Sequence, residues 1–466
     1  MTDRATRVAP PHAPLLRRAA AALLGYAAIR ALGLAVLAVW SAARGKDAYT
    51  LLTARWDALW YARIAELGYG YEVRLPNGDV HSDLAFFPLL PWLERLLHAL
   101  APLSYADAGF LVSVLASLAA ACGIFAVADR LHGPRTGVLA VLLWAALPVG
   151  VVQSMAYSES LFTALAAWSL YAVLTGRWLS AGALAALAGL TRPVGLAVVA
   201  AVWTAGVVSF VRERSTKRTP GAQRSEHAFA ARRGAPDSAH APGASSLPRA
   251  PARTPGTARV PQAPGARPLP HAPTAANPPA PDASSVAHIP QAPAATPPDA
   301  PARRRVLGML LAPLGAAGHV LWVGQRTGKG PLGYLDVQAG WRNGFDGGYA
   351  FARFTADKFT SFPSALAGLG LIAGVALLIR LYAACVRARQ PAEVLVYTGV
   401  VLALALCASG YFGSKPRLLM PAFPVLLPLA RALARLRPSR SALVTAGLAV
   451  TAAAYGAFWL NGSGPP

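Results

Sequence analysis

The sequence predicts an all-α polytopic membrane protein, and three observations carry that reading. Of the 466 residues 55% are hydrophobic and only 14% charged, more apolar surface than one soluble core can bury. The apolar residues come in runs of about twenty, the length that crosses a bilayer as a helix. Basic residues gather at alternate ends of those runs, as the cytoplasmic bias of Lys and Arg demands.

The remaining composition narrows the class. A formal charge of +23 would suggest a nucleic-acid partner for a soluble protein. Here the arginines flank apolar runs or lie in one polar insert, so no nucleic acid is expected. Five of the 43 basic residues are lysine, and Ala, Gly, Pro and Arg dominate, the usage of a GC-rich bacterial genome. The expected location is a bacterial plasma membrane. Cys122, Cys385 and Cys407 fall inside apolar stretches without paired or metal-ligand spacing, so neither a disulfide nor a zinc site is implied.

Candidate spans lie near 19–42, 105–128, 136–153, 159–176, 178–192, 194–211, 306–324, 362–386, 393–411, 417–435 and 441–460, about eleven in all. Residues 1–18, carrying Arg4, Arg7, Arg17 and Arg18, form a cytoplasmic tail. The run that follows is long enough to span and lacks a clear cleavage site, so it is a retained helix. With the N-terminus cytoplasmic, each inner end is basic: Arg130 and Arg135, Arg177, Arg212 to Arg218, Arg387 and Arg389, and Arg431 to Arg440. The segment at 85–102 would invert everything after it if it crossed. Glu94, Arg95 and His98 crowd its middle and Pro88 and Pro91 interrupt its start, which predicts an amphipathic helix lying in the interface.

Residues 212–305 are rich in Pro, Ala, Ser and Arg and nearly free of aromatics. Such a stretch buries too little apolar surface to offset its ordering entropy. It is expected to be a disordered cytoplasmic insert between a first membrane half, 19–211, and a second, 306–466. The first half carries an outer loop at 43–104.

In this orientation the polar residues that a membrane tolerates poorly collect on the extracytoplasmic face. Asp57 lies in the first outer loop, Ser158 and Glu159 at the second, Thr191 and Arg192 at the third, Asp336, Trp341, Arg342 and Asp346 in the fourth, and Lys415 and Arg417 in the fifth. In RWDALWYARIAELGY, helical spacing puts Trp56, Trp60 and Ile64 on one face and Asp57, Tyr61 and Ala65 on the next. Tryptophan favours the headgroup level, so the helix would lie on the membrane with Asp57 turned toward whatever collects there. The bland account is that Asp57 merely caps the helix, as Ser158 and Glu159 could cap another, while Arg192 snorkels beside a proline break. GSKPR at 413–417 resists such an account. Its two cations sit at an outer loop and a helix N-terminus, against both the loop bias and the dipole, and an anion would relieve the conflict.

An acid facing an anion site suits group transfer: the acid accepts a proton from an attacking hydroxyl while the cations hold a departing phosphate. No Walker loop or dinucleotide fingerprint is present, so the phosphate is expected to arrive on a lipid. No cofactor is expected. A divalent cation is the open alternative, because Asp57, Glu159, Asp336, Asp346 and His81 carry ligand atoms, though without diagnostic spacing.

Taken together, RWDALWYARIAELGY, LAFFPLLP, QSMAYSESLF, AGLTRPVG and KPRLLMPAFPVLLP resemble the motif series of the phosphatidylinositol-glycan class V type mannosyltransferases of the GT-C superfamily. The resemblance runs from about residue 20 to 211 and from 306 to the end. It implies a GT-C-type transmembrane helical bundle, with an active site between the first outer loop and the outer helix ends. It also implies a polyprenyl-phosphate sugar donor, most often carrying mannose, and transfer with inversion to a glycolipid or glycan acceptor. The Trp-Asp pair carries over to Trp56 and Asp57, and the AYSES segment to Tyr157, Ser158 and Glu159. Arg192 and Arg417 match the family's outer-turn and late Arg-x-x-x-Pro elements. The insert and the loop at 325–361 depart from the pattern, which leaves the acceptor open.

The expected site therefore has Asp57 and Glu159 as catalytic acids and Arg417, Lys415 and Arg192 on the donor phosphate. Trp56, Trp60, Tyr61, Tyr157, Ser158, Asp336 and Trp341 would contact substrate. The alternatives are a lipid or sugar transporter, or an accessory subunit that has lost the chemistry. A transporter would show internal repeats and mid-membrane ionisable residues, and neither stands out.

Overall fold

The computed structural model describes residues 14–217, 302–462 and 464. The first 13 residues of the expected tail and residues 218–301 of the expected insert lie outside the described residues. The described ends of that insert are helical, not irregular: α9 (Leu196–Lys217) and α10 (Ala302–Leu311) continue into it. Arg305 joins them, donating to Ser209 and to the Glu213 carboxylate and covering the Phe210 ring at 3.9 Å.

The described residues are mostly helical, and each expected span corresponds to one apolar helical segment. Six are long enough to cross a membrane: α1 (Leu15–Ala42), α5 (Tyr105–His132), α9, the α10 and α11 (Leu314–Arg326) unit, α14 (Ser364–Arg387) and α18 (Pro438–Leu460). Four are shorter: α6 (Pro134–Ala145), α7 (Ser158–Leu174), α8 (Trp178–Gly189) and α15 (Ala392–Cys407). The eleventh is bent by 75° between Phe412–Leu418 and Phe423–Ala434. It contains the one-turn α16 (Lys415–Leu418) and α17 (Leu427–Ala434). Pro416, Pro421 and Pro424 lack the N–H donors a continuous helix needs.

The short helices show how irregular backbone is tolerated at depth. The run expected to be helical over 136–153 leaves the α-helix at Ala145, since Pro148 disfavours helical geometry in the residue before it. Arg30 of α1 then donates to the carbonyls of Ala145 and Gly150, which a truncated helix end leaves free. An ionisable group thus does lie mid-span, contrary to the sequence reading, and it serves packing. The largest core joins α1, α5, α6, α7, α8 and α9 around Tyr26, Phe125, Trp144, Tyr157 and Phe162.

The first loop holds α2 (Ala48–Thr53), α3 (Asp57–Leu67), a β-hairpin and α4 (Leu89–Leu100). Strands β1 (Glu72–Arg74) and β2 (Val80–Ser82) pair antiparallel with Val73 opposite His81. At 12 residues, α4 rises only about 18 Å, too short to cross. It turns Leu96 and Leu100 outward and buries Leu90 and Glu94, as an interfacial helix should. The hairpin receives α12 (Gly333–Gly340) from the later loop, and α13 (Tyr349–Asp357) follows.

Candidate active site

Asp57 owes its position to an unusual residue before it. Trp56 is not part of α3, as helical spacing had suggested. It stands outside with φ +50° and ψ −120°, a left-handed conformation that a bulky residue adopts only when its surroundings enforce it. Arg55 enforces it: its guanidinium lies 3.9 Å from the Trp56 ring centroid and donates to the carbonyl of Leu460, at the end of α18, at 3.0 Å. Asp57 becomes the first residue of α3 with no capping bond from its neighbour, and its carboxylate turns to the cluster described next.

Arg417 meets it there. The proline-broken segment sets this arginine into the bundle, where its Nη1 lies 2.7 Å from Asp57 Oδ2 and 3.5 Å from Glu159 Oε1. Arg192 reaches the same oxygen, Glu159 Oε1, at 2.5 Å and donates to Ser158 Oγ at 3.3 Å. The TRPVG turn explains this second arginine. Pro193 holds Arg192 extended, at φ −160° and ψ 154°. Gly195 packs so closely on Gly189 that an added Cβ would sit 2.6 Å from its Cα. Two carboxylates and two guanidiniums therefore alternate in one buried chain, formally neutral, drawn from four separate parts of the sequence.

The members are not equally accessible. The Glu159 side chain is 1% exposed, Arg417 9%, Arg192 13% and Asp57 21%, so Asp57 is the member most open to an incoming molecule. Glu159 is held between two cations and orients both. Ser158, expected to cap α7, does not; Tyr157 holds the cap position. The Ser158 hydroxyl instead bonds the Tyr61 hydroxyl at 2.7 Å. Burial pushes the Tyr61 phenol above its ordinary range, with Arg192 acting in the opposite direction, so it stays a neutral hydroxyl. Arg417 also faces the Tyr157 ring, 5.1 Å from its centroid.

An aromatic wall adjoins the acid. Trp60, one turn along α3, stacks on Phe86 at 5.6 Å and meets Trp341 edge-on at 5.1 Å. Trp341 in turn stacks on His81 at 4.0 Å, and its Nε1 donates to the Ser82 carbonyl at 2.9 Å. The wall thus joins the loop after α1 to the loop after α12.

Two expected residues lie elsewhere. Lys415 is buried, but its Nζ donates to the carbonyls of Ala405 and Ala408 at 3.0 and 2.6 Å, stabilising the negative end of α15. Asp336 is exposed on α12 and pairs with Lys329 at 3.4 Å. Among the described residues no three His, Cys, Asp or Glu side chains gather as a metal site.

The structure also gives two acids places in the fold that the sequence reading did not assign. Asp83, fully buried, accepts from the backbone N–H groups of Gly70 and Tyr71, each at 2.9 Å, and so clamps the end of α3 to the LAFFP segment. Glu94 is buried against Gly109 of α5, with Oε2 lacking a hydrogen-bond partner. Burial raises its carboxyl well above the ordinary value. For Glu94 the available signal was an acid on the leucine-rich face of α4; Asp83 stands in a short turn after β2, where the sequence carries no such signal.

The fold and site define a mostly helical, multi-pass membrane protein with a buried acid and arginine cluster beneath an aromatic loop. Residues 83–223 match the family model described as dolichyl-phosphate-mannose-protein mannosyltransferase. The chain is 35% identical over 156 residues to GPI alpha-1,6-mannosyltransferase 2 of Rattus norvegicus, a match covering 31% of this chain and 30% of that protein. It is 35% identical over 153 residues to GPI alpha-1,6-mannosyltransferase 2 of Mus musculus, covering 31% and 29%. Thus the chain spans about 30% of the length of the curated relatives it matches. Among solved structures it is similar to ArnT from Cupriavidus metallidurans bound to undecaprenyl phosphate, with a TM-score of 0.45 and 15% identity over 90% of this chain and 61% of that one. Part of the chain is therefore similar to mannosyltransferase sequences.

Proposed function

We propose that this protein is an integral membrane glycosyltransferase that moves a sugar, mannose in our reading, from a polyprenyl-phosphate donor to an acceptor hydroxyl with inversion. The acceptor is a glycolipid or glycan on the extracytoplasmic side. The observation that carries the reading is the 2.7 Å contact between Arg417 and Asp57, residues 360 apart in sequence, with Glu159 and Arg192 in the same cluster. Sequence similarity to mannosyltransferases favours the sugar, and the absence of a nucleotide-binding motif favours a lipid-borne phosphate.

The geometry suggests an exchange of partners. A phosphodiester entering beside Asp57 competes with it for Arg417. Once the guanidinium turns to the phosphate, the Asp57 carboxylate is released beside the attacking group. The acceptor oxygen then forms a bond to the anomeric carbon as the bond from that carbon to the phosphate oxygen breaks. The bonding pair leaves with the polyprenyl phosphate and the hydroxyl proton passes to Asp57. Arg417 stabilises the charge that grows on the departing phosphate. Arg192 supports it through Glu159, which acts here as a positioning residue. Trp60 and Trp341 would hold the flat face of a sugar ring of the acceptor.

Membranes containing the protein, supplied with radiolabelled polyprenyl-phosphate-mannose, should yield a labelled product whose chromatography identifies the acceptor. Failure to transfer label while donor is taken up or scrambled would replace the enzyme reading with a transporter.

A further inference from the structure

On the face of the bundle away from Asp57, a groove of about 320 Å³ opens between α1, α6 and α18. Its floor on α18 is Ser441, Thr445 and Ala449, buried and spaced every four residues; Ala442 and Ala446 form its open edge. Both hydroxyls bond carbonyls of their own helix, Ser441 to Pro438 at 3.0 Å and Thr445 to Ser441 at 2.9 Å. The floor is therefore apolar in effect. From Pro438 to Ala449 the groove follows α18 for about 16 Å, roughly half the thickness of a hydrocarbon core. A single leaflet has that depth.

The mouth is basic. Arg135, on the first turn of α6, lines it and donates to the Leu436 carbonyl at 2.5 Å. Arg437 lies next to Pro438, which also lines it. Both arginines are exposed. Two of these helices reach the cluster side by their other ends: α6 leads on to Tyr157, and the end of α18 receives Arg55. The basic mouth thus belongs to the opposite membrane surface.

We infer that this groove seats one acyl chain of an anionic phospholipid from the leaflet opposite the active site, with Arg135 and Arg437 on its phosphate. The charge of the mouth, the apolar floor and the one-leaflet depth fit that molecule together. A zwitterionic lipid would bring a quaternary ammonium that offsets its phosphate charge beside the two arginines, and a free phosphate would leave the groove unfilled.

The test uses the full-length protein in detergent, incubated with equimolar dioleoyl-phosphatidylglycerol and dioleoyl-phosphatidylcholine, with co-purified lipid measured by mass spectrometry. Phosphatidylglycerol should be retained roughly tenfold over phosphatidylcholine, and the Arg135→Gln/Arg437→Gln variant should lose that preference. Ala442→Phe/Ala446→Phe should lose both lipids. Equal retention by the unmodified protein, an unchanged preference in the glutamine variant, or displacement by soluble glycerol 3-phosphate as effective as by phosphatidylglycerol would overturn the inference. If a variant fails to fold, a photoreactive phosphatidylglycerol chain on the unmodified protein decides. Crosslinks on α1, α6 and α18 support the site, and crosslinks spread over the other lipid-facing helices refute it.

Discussion

Arg417→Ala separates the two roles an ion pair can play. The substitution leaves Glu159 its partner Arg192 at 2.5 Å but takes from Asp57 the guanidinium at 2.7 Å. Breaking a buried pair by removing one member costs about 3–5 kcal/mol. Because Asp57 is 21% exposed and water can reach it, the low end of that range, about 3 kcal/mol, is expected here. Loss of a charge that stabilises a departing phosphate should separately lower transfer about 10²–10³-fold. The double variant Asp57→Asn/Arg417→Ala removes the stranded charge. Its thermal unfolding in detergent should return most of the way toward that of the unmodified protein, while transfer from polyprenyl-phosphate-mannose stays lost. Recovery of activity together with stability would show that the pair only holds helices together, and the chemical reading of Arg417 would fail.

Three further outcomes follow from the same geometry. Lys415→Met should destabilise the protein by about 1–3 kcal/mol by leaving two carbonyls without their donor, with donor KM unchanged; a tenfold rise in donor KM would instead put Lys415 at the phosphate. Trp341→Ala removes the stack on His81 and the edge contact to Trp60, and should raise acceptor KM about tenfold while donor KM moves less than about twofold. A larger effect on donor than on acceptor would contradict the aromatic wall's role. Glu94 has its carboxyl raised by burial above an ordinary value near 4.5, so the folded state holds a proton that the unfolded state releases. Its stabilising contribution is complete below about pH 4.5 and declines as pH rises toward the folded value. Glu94→Gln should flatten that decline in thermal melts taken between about pH 5 and 8, and an unchanged slope would show that Glu94 is charged in the fold.

What was legible in the sequence follows a physical pattern. Hydropathy located eleven apolar segments because each must hide its surface whether or not it crosses fully. It could not show that α6 and α8 stop after 12 residues, since that depends on partners such as Arg30 that satisfy the broken ends. Asp57, Glu159, Arg192 and Arg417 were nameable because charge beside apolar runs is costly and uncommon. Their alternation in one chain was not, because contacts between residues 360 apart leave no local periodicity. Lys415 illustrates the limit. Its sequence context is nearly that of Arg417, yet its chain points at the end of α15, a neighbour only the fold supplies. Trp56 was misplaced onto α3 for a related reason: helical spacing cannot anticipate a left-handed residue packed under Arg55, which the distant carbonyl of Leu460 anchors.

The most direct measurement is transfer by the purified full-length protein in liposomes, with radiolabelled polyprenyl-phosphate-mannose offered against radiolabelled nucleotide-mannose, for the unmodified chain and for Asp57→Asn. The account predicts label from the lipid donor alone, and a loss of at least about 10²-fold on substitution with equal amounts of folded protein. Transfer from the nucleotide sugar, or transfer indifferent to Asp57→Asn, would contradict it.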